Sequence, residues 1–568
     1  MHHDDRPWLA AYDPDVPPQV PLPDQSYVDL LREAFERFPE RPAYHFLGRT
    51  TTFREFQNQA DRFAALLRDQ GCRPGDVVAV NLPNIPQYLI AHTGALLAGC
   101  AATGLSPLHT GREMAYQLRD SRARVLVTLD AIFEKRLAPL QEDLPELQTI
   151  CPTGLLDFLP RWKQFLGKKI KKVPTGKIFD LPGKKVLPFM EALRLYPPDP
   201  VALKIPADAV CLIQYTGGTT GLPKGTLLTH GNITANIQQV RTWFHLETGR
   251  ETILSGFPFF HLAGLMLAMT ELVLAGTQIL VPNPRDTDHI CREMARYHPT
   301  ILVNVPTLYL MLMENPRFNK LDFSRLAFCL SGASPFPVES IRALEEIVGR
   351  GKLVEVYGMT ETSPLITANP HKGPKKIGTV GLPLPNTRVK LIDLETGTRE
   401  VPVGEEGELI VHGPQVMKGY LNRPEETAHA LRPFQGEPWM HTGDVARRDE
   451  EGYLTIVDRA KDMLNVGGFK VFSREVEEKL YDHPAIELCA IVGVPNPQRP
   501  GSELVKLVVQ KASAARDRPE EMLKKEILDF ARETLSPYKV PKFIEVVEAL
   551  PLTPVGKVDK KALRAPAP

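Results

Sequence analysis

Neither sign of charge is in surplus: 68 Lys and Arg are matched by 68 Asp and Glu. A chain without a basic excess is not built as a general nucleic-acid binder, and one without an acidic excess is no disordered acidic tail. Cysteine is scarce, seven in 568 residues, at Cys72, Cys100, Cys151, Cys211, Cys291, Cys329 and Cys489. That wide spacing contains no C-x-x-C pair, which excludes a zinc ribbon and a disulfide framework and points to reduced thiols in the cytoplasm. Long apolar runs are missing too. The most apolar stretch, 262–274, is short and holds Thr270 and Glu271, whereas a spanning helix needs about 20 apolar residues. The acidic, Pro-punctuated N-terminus lacks a basic region followed by an apolar one, so no signal peptide is expected. There is no G-x-S-x-G elbow and no H-E-x-x-H, which argues against an esterase and a zinc protease.

What is present is alternation. Phe53, Phe56, Ala60, Phe63, Ala64 and Leu67 recur at helical spacing until Gly71 stops the helix. Val77 to Val80 reads as a buried strand, 90–97 as a helix and 124–128 as a strand. After residue 208 short apolar strands run into Thr216-Gly217-Gly218, His261, Thr307, Gly332-Ala333-Ser334 and Gly358-Met359-Thr360. This predicts an α/β protein with parallel-rich sheets and helices on both faces. Ligands of such sheets bind outside the carboxyl ends of the strands, so the five polar ends should share one rim. From about 387 the pattern becomes antiparallel, with a turn at Glu451-Gly452, and predicts a small β-barrel-like unit over 387–460. That hairpin would bring Asp444 and Arg459 side by side. Residues 461–568 read as a separate, small, mobile α+β domain after a large domain spanning 1–460.

The most informative string is Tyr215-Thr-Gly-Gly-Thr-Thr-Gly-Leu-Pro-Lys224-Gly225. Gly217, Gly218 and Gly221 let backbone N–H groups approach an anion, Thr216, Thr219 and Thr220 add hydroxyl donors, and Lys224 adds charge. Pro223 stands where the common nucleotide P-loop requires Gly, so this is a different phosphate loop. Four further strings follow in order: Tyr357-Gly-Met-Thr-Glu-Thr362, His441-Thr-Gly-Asp444, Asp458-Arg459-Ala-Lys461-Asp462 and Pro551-Leu-Thr-Pro-Val-Gly-Lys557. Together the five resemble the signatures of the adenylate-forming superfamily of acyl-CoA synthetases and luciferases, in the pattern of bacterial long-chain fatty acyl-CoA ligases.

That resemblance implies ATP, Mg²⁺ and CoA as cofactor and co-substrates and a fatty acid as the acid. Residues 216–225 would hold the β,γ-phosphates. Thr360 would contact phosphate, and Glu361 with Thr216 would hold Mg²⁺. Gly332, Ala333 and Ser334 would border the adenine with Tyr357 and Gly358, and Asp444 and Arg459 would grip the ribose. His261 would lie beside the acyl carboxylate. Lys557 would swing in to stabilise the charge of adenylation, then leave as the small domain pivots near Lys461 and brings Gly467 and Gly468 to the thiol. Where family members often carry a basic residue two positions after the catalytic lysine, this chain has Asp559, followed by Lys560 and Lys561. A homodimer is compatible with the resemblance. An aryl or shorter acid, a luciferase-like oxidation and a non-catalytic lipid-binding relative stay open as alternatives.

Residues 155–185 carry nine Lys and Arg against two Asp, a net of +7, with Leu155, Phe158, Leu159, Trp162, Phe165 and Leu166 on one side. A basic amphipathic segment of this kind suits peripheral contact with an anionic membrane; a solvated loop with buried anchors is the other reading.

Overall fold

The computed structural model describes the chain apart from residues 1–5, 160–173, 201–202, 217–221, 460–461, 467–468, 500–501, 554–556 and 565–568. Two large mixed sheets dominate. The nine-stranded sheet has a parallel centre in which Thr252–Ser255, Ile301–Asn304, Phe328–Ser331 and Leu353–Gly358 are successive neighbours. The eight-stranded sheet runs parallel through Ala101–Gly104, Val77–Asn81, Val125–Leu129 and Thr149–Thr153, and turns antiparallel where Val210–Thr216 meets Lys224–Thr229.

Strand alternation explains the layering. Ile253, Ile301, Val303, Phe328 and Leu330 face a core shared with Val78, Val80, Val125 and Val127 of the other sheet. Leu254, Leu302 and Cys329 face away, into a second core with the helices Thr287–Tyr297, Pro306–Glu314 and Val338–Val348. Val77, Ala79 and Leu126 likewise turn to a third core with the helix Gly111–Asp120. The shared core is filled by the helices Phe53–Asp69, Pro86–Leu97, His230–Trp243 and Leu262–Val273. Helices therefore cover both faces of each sheet, as a parallel sheet buried on two sides requires. Phe53–Asp69 starts at a capping box in which Thr52 and Glu55 each bond the other's backbone N–H, and Gly71, at φ +76°, follows its end.

The expected barrel-like unit takes the form of a four-stranded antiparallel sheet, in order Arg388–Ile392, Glu406–His412, Met440–Arg448 and Leu454–Arg459. The last two strands turn at Gly452, whose φ is +94° and where a Cβ would stand 2.6 Å from Cβ of Trp8, so glycine is required twice over. The C-terminal segment has its own three-stranded sheet, Ile486–Pro495, Glu503–Lys511 and Phe543–Val547. The helices Ser473–Leu480 and Glu520–Thr534 pack on it around Val476, Leu480, Leu523 and Ile527. Among the described residues no helix is long and apolar enough to cross a membrane.

Of the two readings of 155–185, the described part fits the loop with buried anchors. Phe158 and Leu159 are 3 % and 9 % exposed and belong to the shared core, so they anchor the chain inward rather than facing lipid. Trp162, Phe165 and Leu166 lie outside the described residues.

One buried acid makes stability pH-dependent. Glu271, near the end of Leu262–Val273, is 2 % exposed, and burial together with the nearby Glu251 pushes its pKa up to about 8 from 4.5. The folded state therefore holds a proton that the unfolded chain gives up, and stability falls as pH rises through this window. Glu271→Gln is expected to flatten the fall in melting temperature between about pH 4.5 and about pH 8. An unchanged slope would show that Glu271 is not the group responsible.

Candidate active site

Thirteen of the residues expected to form the site are described, and all thirteen line one cleft of about 1920 Å³: Thr216, Lys224, His261, Gly332, Ala333, Ser334, Tyr357, Gly358, Thr360, Glu361, Asp444, Arg459 and Lys557. Gly217, Gly218, Thr219, Thr220, Gly221, Lys461, Gly467 and Gly468 lie outside the described residues. The rim predicted from strand ends is there as well, since Thr307 lines the same cleft. Thr216 and Lys224, which flank the phosphate loop, pair in antiparallel register, and Tyr116 Oη donates to the Pro223 carbonyl at 2.8 Å.

The hairpin expected from Glu451-Gly452 places Asp444 directly opposite Arg459 in register. Arg459 Nε stands 3.3 Å from Asp444 Oδ1. Tyr357 adds a hydrogen bond of 2.6 Å to Oδ2 of the same carboxylate, so its phenol orients Asp444 as well as lining the cleft. Asp444 is 7 % exposed, and an acceptor fixed between a cation and a hydroxyl suits a diol ligand.

Glu361 stands in the short turn Thr360–Thr362 and is 6 % exposed. Burial raises its pKa, and the Tyr420 hydroxyl, donating to Oε1 at 2.8 Å, opposes that rise. The Lys224 ammonium stands 5.1 Å over the Tyr420 ring, so one tyrosine braces both the lysine and the carboxylate. A hard carboxylate oxygen fits Mg²⁺, which binds through one or two carboxylates and completes its shell with phosphates and water. No cluster of three or more His, Cys, Asp or Glu able to hold a metal occurs among the described residues. The strand leading into this turn ends at Gly358, where a Cβ would come within 2.0 Å of the Pro364 carbonyl oxygen. Ala333 adopts φ +70°, a costly conformation for a non-glycine residue and one that gathers at ligand loops.

His261 caps the helix Leu262–Val273, its Nδ1 accepting the Ala263 N–H at 3.3 Å. With Nδ1 accepting, the ring proton sits on Nε2. Burial, and then the charge of Lys557, push its pKa down to about 3, so it is a neutral donor. Lys557, from the C-terminal segment, lines the same cleft as His261.

A model of the AMP-binding enzymes matches residues 31–421, and one of their C-terminal domain matches 475–557. The chain belongs to the AMP-binding enzyme family. It is 39% identical over 562 residues to the long-chain-fatty-acid–CoA ligase of Bacillus subtilis strain 168, covering 98% of this chain and 97% of the relative. It is 37% identical over 576 residues to the protein of the same name from Salmonella typhimurium strain LT2, again covering 98% and 97%. Among solved structures, the anthranilate CoA ligase AuaEII in complex with anthranoyl-AMP superposes with a TM-score of 0.82 at 26% identity, covering 96% of this chain and 97% of that one.

Sequence reasoning missed three groups in this AMP-binding enzyme. Tyr420 carried no signal, because its short strand Gly419–Tyr420 joins Lys224–Thr229 only through tertiary pairing. Glu408 and Arg432 were also missed: they hold His441 Nδ1 at 3.2 and 2.7 Å, and Glu408 accepts the Gly443 N–H beside Asp444. The third is the set of partners around Lys560.

Proposed function

We propose that this AMP-binding enzyme is an ATP-dependent long-chain fatty acid–CoA ligase that works in two steps at one cleft. In the first, a carboxylate oxygen of the acid attacks the α-phosphorus of ATP. An O–P bond forms, the bond to the bridging oxygen breaks, and pyrophosphate leaves. In the second, the CoA thiol gives up its proton, attacks the acyl carbon and expels AMP, so a thioester replaces the mixed anhydride.

The observation that carries this reading is the convergence of Thr216, Lys224, Tyr357, Thr360, Glu361, Asp444, Arg459 and Lys557 on one cleft whose lining also includes apolar side chains. In it, Lys224 and Thr360 meet phosphate oxygens, Asp444 and Arg459 grip the ribose, and His261 donates from Nε2 to the acid. Glu361 and Thr216 would hold Mg²⁺, which when bound would offset the charge of the phosphate oxygens. Lys557 stabilises charge as the new O–P bond forms. A pivot near Lys461 then withdraws it and admits the thiol past Gly467 and Gly468. Val240, Ala263, Met266, Leu267, Leu310 and Leu330 line the same cleft and suit an alkyl chain. The relatives named as long-chain-fatty-acid–CoA ligases support that choice of acid.

Initial rates of ATP- and CoA-dependent thioester formation over saturated acids of increasing length, with aryl acids alongside, test it. Rates should climb toward long chains. A preference for aryl acids would overturn the long-chain assignment and leave the chemistry standing.

Peripheral membrane contact through 155–185 belongs to the same reading, supported by the local charge of +7. Retention by anionic vesicles at low salt and release at high salt is expected. No retention at either salt would remove this part.

A further inference from the structure

Lys560 follows Lys557 by three residues and opens the short helix Lys560–Arg564. Only 19% of its side chain is exposed. Its Nζ lies 2.8 Å from Glu477 Oε1 and donates to Ser473 Oγ at 2.6 Å. Ser473 passes the connection on: its hydroxyl donates to Asp458 Oδ1 at 3.2 Å, and its backbone N–H donates to Oδ2 of the same carboxylate. Asp458 lies in the last strand of the four-stranded sheet, opposite Val445 and next to Arg459. The chain of bonds from ammonium to hydroxyl to carboxylate thus begins after Lys557, passes through the helix Ser473–Leu480, and ends on the far side of residue 461.

The backbone between Lys557 and Lys560 is braced. Lys557 donates its N–H to Thr553 Oγ1 at 3.1 Å and accepts the Thr553 N–H at 2.7 Å, and Asp559 donates its N–H to the Pro551 carbonyl at 2.7 Å. Asp559 Oδ1 accepts the N–H groups of Lys561 and Ala562, which accounts for an acid at this position: it starts the terminal helix. A shift of Lys560 is therefore passed on to Lys557.

We propose that Lys560 is a positioning residue for adenylation, tying the loop that bears Lys557 to Asp458 through Ser473 and so holding the orientation in which Lys557 reaches the cleft. This rests on the reading of Lys557 given above. A clamp internal to the C-terminal segment would need only Glu477; the Ser473–Asp458 link reaches beyond it. Burial raises the pKa of both Asp458 and Glu477, and Lys560 opposes both rises. Parting Ser473 from Asp458 would take two donors from a buried carboxylate and leave it the Arg459 N–H, which favours the docked orientation. Thioester formation, with Lys557 withdrawn, does not need the link.

The test measures two half-reactions separately: acid-dependent ATP–pyrophosphate exchange, and thioester formation from supplied acyl-AMP and CoA. Lys560→Met should slow exchange about ten- to hundredfold, in kcat more than in KM for ATP, and leave thioester formation within about twofold. Ser473→Ala and Asp458→Asn should act in the same direction more weakly, and Lys560→Arg should recover much of the loss. If Lys560→Met does not fold, as judged by thermal unfolding, Ser473→Ala decides. Equal loss of both half-reactions, or exchange within about twofold of the parent in Lys560→Met and Ser473→Ala while Lys557→Ala loses it, overturns the positioning role alone. Exchange that survives in Lys557→Ala overturns the reading of Lys557, and this proposal with it.

Discussion

A Lys557→Ala enzyme is expected to lose adenylation by about 10²- to 10³-fold while still converting supplied acyl-AMP and CoA to thioester at close to the parent rate. The carboxylate and the α-phosphate both carry negative charge, and more develops on the phosphate oxygens as pyrophosphate departs. A preorganised ammonium in a cleft of reduced dielectric is worth far more there than in water. Lys557 is suited to this because it comes from a different part of the chain than the phosphate loop, so the same group can be brought in for one step and taken away for the next. Its charge already acts on His261, whose neutral ring is then free to donate without adding a competing cation. Separate measurement of the two half-reactions checks this. Equal loss in both would make Lys557 a structural residue and remove the two-orientation account.

The second large effect is expected at Asp444. Replacing it with Ala removes the acceptor of the Tyr357 hydroxyl and the ion-pair partner of Arg459 together. A buried hydrogen bond to a charged group is worth about 1.5–3 kcal/mol, and each 1.4 kcal/mol is a factor of ten. Loss of these bonds and of the ribose contact should cut kcat/KM for ATP by about 10²-fold or more. Asp444→Asn keeps the shape and one acceptor, and should cost about tenfold, as should Tyr357→Phe. Initial rates against ATP concentration check the series. Parent-like kinetics in Asp444→Ala would show that the ribose is held elsewhere.

The site was legible where local geometry decides spacing. A turn at Glu451-Gly452 leaves Asp444 and Arg459 opposite one another, and the structure has them in register. Strand ends such as Gly332 and Gly358 could be assigned to one rim because parallel strands share a direction. Residues that act through tertiary approach were not legible. Tyr420 reaches Glu361 across 59 positions, and Lys560 reaches Ser473 across 87. Phe158 and Leu159 illustrate the opposite error: an apolar side on a basic segment looks the same in sequence whether lipid or the protein's own core receives it, and here the core does.

The central claim is that the acid is activated on AMP before CoA takes part. The enzyme incubated with a long-chain fatty acid, ATP and Mg²⁺ in the absence of CoA, and followed by phosphorus NMR and mass spectrometry, should yield acyl-AMP and pyrophosphate in equal amounts. Adding CoA should then convert the acyl-AMP to acyl-CoA and AMP. Release of ADP and inorganic phosphate, or thioester formation with no acyl-AMP at any stage, would contradict the account.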